Sequence, residues 1–163
     1  MKRLILMRHA KSDWSGKALS DFDRELNKRG RESATALGNW LRSESIRPDE
    51  VLCSSAARTQ ETFHRLNLEG TAQTLFTRDL YLASEDQMLA NVAKAKGNCV
   101  LLVGHNPGIG ALAETIVKMP PSHPQFRTYP TGATLVADFE IADWAQVVGA
   151  KAIARHFVVP REL

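Results

Sequence analysis

The chain has 163 residues, 44% hydrophobic and 24% charged, with 21 Lys and Arg against 18 Asp and Glu for a net charge of +3. Those proportions fit one globular domain, 1–163, large enough to bury a core, and they argue against disordered and fibrous classes. No run of five or six like charges occurs, which speaks against nucleic acid as a partner; the mild basic excess suits an anionic substrate or a solvated surface equally.

Met1-Lys2-Arg3 leads into an apolar run over residues 3–8. It is too short for a signal-peptide core or a membrane span, so a cytoplasmic protein without a membrane partner is expected. Unbroken apolar character over that run predicts a strand covered on both faces. A helix is predicted over 28–43, with Asn27 as its N-cap and Ala34, Leu37, Trp40 and Leu41 on one face. "EVLCS" (50–54) reads as a second strand, and a helix over 56–66 follows behind Ser54 or Ser55. "AQTLFT" (72–77) reads as a third strand. Ser84 and Gln87 form a capping box that opens a helix to about Lys96. "NCVLLVG" (98–104) is a fourth strand, after which Asn106 as N-cap and Pro107 at the first helical position predict a helix to about Lys118. The proline-rich stretch 119–133 interrupts the alternation, and strands over 133–140 and 151–159 close it. Repeated strand–helix units predict an α/β fold: a three-layer sandwich with a mostly parallel central sheet and helices on both faces.

In a parallel sheet, ligands bind beyond the carboxyl ends of the strands. The residues delivered there are Arg8 and His9 after the first strand, Ser54 through Arg58 after the second, and His105 after the fourth. Arg58 falls in the first turn of its helix, where free N–H groups also favour an anion. Two arginine forks and two imidazoles on one rim, without a carboxylate cluster, suit a dianionic phosphoryl group. A metal is not expected, because His64, His123 and His156 lack ligand spacing to His9 and His105. Cys53 and Cys99 read as free buried thiols. A cysteine-phosphatase loop needs its Arg six positions after the nucleophile, and Cys53 to Arg58 falls one short, with Thr59 in the required place.

These residues carry a resemblance. "LMRHAKSDW" resembles the R-H-G/A opening of the histidine phosphatase superfamily, the phosphoglycerate-mutase-like fold. "DFDRELNKRGRESATALGNWL" (21–41), "CSSAARTQETF" and "LLVGHNPGI" resemble its later motifs, in the same order. Shortness, Ala10, the "GHNPG" form and the terminal "PREL" are similar to the SixA-type phosphohistidine phosphatases of that superfamily. The resemblance implies a cofactor-free phosphatase with His9 as nucleophile and with Arg8, Arg58 and His105 as catalytic and phosphate-binding partners. It implies phosphohistidine on a protein partner as substrate, in signal transduction, or else a small phosphate ester handled by a phosphatase or mutase. Ester-cleaving relatives carry an acid near the place of Leu82. Asp79, Glu85 and Asp86 lie close by, and the acid is expected to be missing. With only 46 residues between Arg58 and His105 to hold a strand and a helix, an open site without a lid is expected.

Overall fold

The structure, a computed structural model, describes residues 1–163 apart from 17, 19 and 72. Six strands form one sheet: β1 (Lys2–Arg8), β2 (Glu50–Ser54), β3 (Gln73–Thr77), β4 (Cys99–Gly104), β5 (Thr134–Phe139) and β6 (Ala152–Val158). Their spatial order is β3-β2-β4-β1-β5-β6. The first four run parallel to one another, and β5 and β6 extend the sheet antiparallel beyond β1. Ala72, the start of the expected third strand, lies outside the described residues.

The unbroken apolar strands are explained by two covered faces. Leu4, Leu6, Leu52, Val100 and Leu102 point into one core with α3 (Glu85–Val92) and α4 (Gly108–Ile116). Ile5, Met7, Val51, Cys53, Leu101 and Val103 alternate with them into a second core, under α1 (Lys28–Ser43) and α2 (Ala57–Leu66). Burial on both sides removes the selective need for polar residues along these strands. The α1–α2 seam is close: a Cβ on Gly38 would sit 2.0 Å from the Leu66 carbonyl oxygen.

The helix starts divide into those made locally and those made by the fold. Asn27 accepts from the Gly30 N–H as expected, and Ser84 and Gln87 form the reciprocal capping box. Neither Ser54 nor Ser55 caps α2; Ala56 holds the cap position without a side-chain bond. Asn106 is likewise not the N-cap of α4. Its amide instead donates to the Thr128 and Tyr129 carbonyls, and its Oδ1 accepts from Gly110 one turn in. The helix begins after Pro107 and ends at Ile116, two residues early, because Val117 pairs with Ala152. α3 ends at Val92 rather than near Lys96, where the Lys96 and Gly97 N–H groups donate to the Glu50 carboxylate instead.

The parallel ladder brings the strand ends level. Arg8 pairs with Gly104 and Cys53 with Val103, and the His9 N–H continues the ladder to the Gly104 carbonyl at 3.1 Å. Tyr129 fastens the proline-rich segment beside them. Its buried hydroxyl donates to the Leu6 carbonyl at 2.6 Å and accepts from the Leu135 N–H at 3.2 Å.

Candidate active site

Register alone puts His9 and His105 side by side, and their ring centroids are 5.4 Å apart. His9 Nδ1 lies 2.7 Å from the carbonyl oxygen of Ala10, the next residue. A carbonyl can only accept, so Nδ1 carries the proton and Nε2 keeps a free lone pair. Burial, then the neighbouring His105, Arg58 and Arg8, push the His9 pKa down to about 3. Burial and then Arg58 push His105 to about 3 as well. Both rings are therefore neutral at physiological pH.

Ser54 fixes His105. Its Oγ accepts the Ala56 N–H at 3.3 Å and lies 2.8 Å from His105 Nε2. A hydroxyl can donate to Nε2 or accept from it, and His105 Nδ1 has no partner among the described residues.

Arg58 is 3% exposed and both of its terminal nitrogens are held by Asp21, one by the main-chain carbonyl at 2.7 Å and one by Oδ2 at 3.0 Å. The same carboxylate takes the Tyr81 hydroxyl and an Arg24 contact at 3.0 Å. Those donors, Tyr81 foremost and then Arg58, lower the Asp21 pKa to about 2. Arg58 is thus presented by its Nε edge, and that Nε has no partner. Arg8 donates to the Tyr129 carbonyl at 3.1 Å and likewise leaves Nε unpaired.

Three of the four buried, unpaired side-chain polar atoms among the described residues therefore belong to this rim: Arg8 Nε, Arg58 Nε and His105 Nδ1. Buried polar atoms left without partners cost on the order of 1–3 kcal/mol each, and the two arginine Nε–H groups can only donate, which suits a ligand's oxygens. They border a cleft of about 280 Å³ whose walls also include Lys11, Ser12, Trp14 and Leu82.

All four residues expected from the sequence are thus brought together. Asp79, Glu85 and Asp86 are not among the residues lining the cleft; Glu85 engages the Thr115 hydroxyl instead. Leu82 stands at the cleft, 54% exposed and in the left-handed conformation at φ 50°. Sequence reasoning missed Asp21 and Tyr81, which act across 37 and 60 positions. The one local signal for Asp21 is its D-x-x-R spacing to Arg24, with which it forms an ion pair. Among the described residues no group of three or more His, Cys, Asp or Glu could hold a metal ion, and no helix is long and apolar enough to cross a membrane. Cys53 is buried, as expected, and Cys99 only partly so.

The profile of the histidine phosphatase superfamily (branch 1) matches residues 4–80. The uncharacterized protein Rv1276c of Mycobacterium tuberculosis is 31% identical, over 95% of this chain and all of the relative. A structure from Nakamurella multipartitia assigned as the phosphohistidine phosphatase SixA is 33% identical, with a TM-score of 0.86 over 98% of this chain and 96% of that one. A second such structure, from Agrobacterium tumefaciens, is 26% identical with a TM-score of 0.80 over 98% of each chain. A parallel ladder ending on paired histidines, matched along nearly its whole length by these relatives, makes this chain a member of the histidine phosphatase superfamily, among its SixA-type proteins.

Proposed function

We propose that this phosphatase works through a covalent phosphohistidine on His9 and that its substrate is phosphohistidine on a protein. One observation carries the reading: a neutral imidazole with a free Nε2 lone pair stands beside two unpaired arginine Nε–H donors and the unpaired His105 Nδ1. The lone pair attacks phosphorus in line, a P–Nε2 bond forms, and the bond to the leaving group breaks. Arg8 Nε, Arg58 Nε and His105 Nδ1 take the non-bridging oxygens and stabilise their charge. Water then attacks phosphorus, the P–Nε2 bond breaks with its electron pair returning to nitrogen, and phosphate leaves.

Among the described residues lining the cleft none is a carboxylate, and Asp21 beside it is engaged by Arg58, Tyr81 and Arg24, which supports the choice of substrate. A general acid typically contributes 10²- to 10⁴-fold when an alkoxide leaves. A departing imidazole takes its proton from water and needs no such acid. The open approach past exposed Leu82 and Trp14 suits a side chain presented by a protein.

Labelled phosphohistidine protein, quenched without acid, should leave phosphate on His9 in the wild type and none in His9→Ala, which should be inactive. His64→Ala should retain activity. Substantial turnover by His9→Ala would overturn the mechanism. Comparable kcat/KM on an alkyl phosphate would overturn the substrate and favour the small-ester reading.

A further inference from the structure

The fourth buried, unpaired polar atom is Gln125 Oε1, and its residue lines a different cleft. That cleft, of about 250 Å³, is lined by Lys11, Arg29, Ser33, Gln125, Thr131 and the terminal Pro160-Arg161 turn, among others. Lys11 and Thr131 also line the catalytic cleft, so the two share a wall. Lys11, Arg29 and Arg161 are all exposed, and none makes a side-chain hydrogen bond or ion pair to the described residues. Elsewhere on this surface arginines are commonly paired, as with Arg31 on Glu61, Arg3 on Asp138 and Arg127 on Glu114.

The fold builds this cluster deliberately from three distant segments. The Asn27 N–H donates to the Lys11 carbonyl at 3.0 Å, which places the start of α1, and with it Arg29, beside the catalytic loop. A Cβ on Gly30 would sit 2.0 Å from that same carbonyl oxygen, so the approach requires glycine. The terminal turn is fastened by Glu162, which accepts from the Val159 N–H and pairs with His123, both at 3.0 Å. Pro160 packs over Gly132, whose φ of +76° and lack of a side chain leave room for it.

We infer that this cleft is a second anion subsite, and that it takes an acidic side chain of the polypeptide that carries the phosphorylated histidine. Lys11 and Arg29, with no carboxylate partner among the described residues, and Arg161, which has only its neighbour Glu162, call for a further carboxylate. Gln125, on the same wall, adds a half-buried side-chain amide able to hydrogen-bond the same polypeptide. The shared wall lets one substrate fill both clefts. The inference rests on the proposed protein substrate and adds what selects it.

The test compares two phosphohistidine peptides, one with flanking Glu and one with the same positions as Gln, alongside p-nitrophenyl phosphate, which carries no carboxylate for the second cleft. The double variant Arg29→Ala/Arg161→Ala alters only residues outside the catalytic cleft. Exposed ion pairs are individually weak, so the wild type should favour the Glu peptide about five- to tenfold in kcat/KM, less at high salt. The double variant should lose that preference and keep its rate on p-nitrophenyl phosphate. Equal wild-type rates on the two peptides would overturn the subsite and leave the phosphohistidine reading standing. Failure on both peptides, with p-nitrophenyl phosphate still cleaved, would overturn both. A preference that survives the double substitution, or a matching loss on p-nitrophenyl phosphate, would also refute the subsite.

Discussion

Asp21→Asn isolates the charge that holds Arg58. The substitution keeps the side chain's size and an amide oxygen, and leaves the main-chain acceptor at 2.7 Å in place. What disappears is the ionic part of the 3.0 Å contact to a guanidinium that is 3% exposed. A hydrogen bond to a charged group contributes about 1.5–3 kcal/mol. If Arg58 must present its Nε edge in the transition state, the whole of that term enters kcat/KM, a loss of roughly 10- to 150-fold. Turnover of p-nitrophenyl phosphate would measure it, with thermal unfolding as a check that the variant is folded. In an Arg58→Ala background the same Asp21 substitution should have almost no effect, because its target is gone. A loss under twofold in the wild-type background, or an undiminished loss without Arg58, would refute the positioning role.

Arg58→Lys keeps the charge but gives up the planar fork that is held on one edge and free on the other, so kcat should fall by about 10²-fold or more; near-normal turnover would show that Arg58 does not clamp the phosphate. Acid should destabilise the fold through His9 and His105. Both are neutral when folded, with pKa values near 3, against about 6.5 in the unfolded chain. Between those limits the unfolded state binds more protons, so stability is fully present above pH 6.5 and is lost as pH falls toward 3, by about 1.4 kcal/mol per pH unit for each histidine. Urea unfolding from pH 7 to 5 lies above the carboxylate range and should show that slope, while a flat profile would contradict it. Gly38→Ala should destabilise by about 2 kcal/mol or more, because its Cβ would meet main chain at 2.0 Å rather than a side chain that can turn aside; an unchanged melting temperature would mean the α1–α2 seam can open freely.

The boundaries of α1 and β2 were legible because their signals are local: a capping Asn27 for one, and an apolar run that stops at Ser54 for the other. Arg8, His9, Arg58 and His105 could be found because each sits at a strand end or just beyond one, and a parallel sheet gathers such ends. Asp21 and Tyr81 could not be found that way. Their roles depend on a single 3-10 turn at Asp21–Asp23 and on a loop after β3 meeting across the rim, and no period in the sequence encodes that meeting. Asn106 shows the opposite failure. Its local pattern is a good N-cap, but the Thr128 and Tyr129 carbonyls, more than twenty residues away, claim its amide.

The bond from His9 Nδ1 to the carbonyl of Ala10 bears on how this centre tolerates genetic change. In catalytic triads a carboxylate side chain orients the histidine, and one codon change can delete it. Here the acceptor belongs to the main chain of the adjoining residue, and every amino acid supplies the same oxygen. No side-chain substitution can remove the partner that keeps the proton off Nε2. Position 10 is free to vary within the space its side chain allows, while the tautomer of His9 is inherited with the backbone itself.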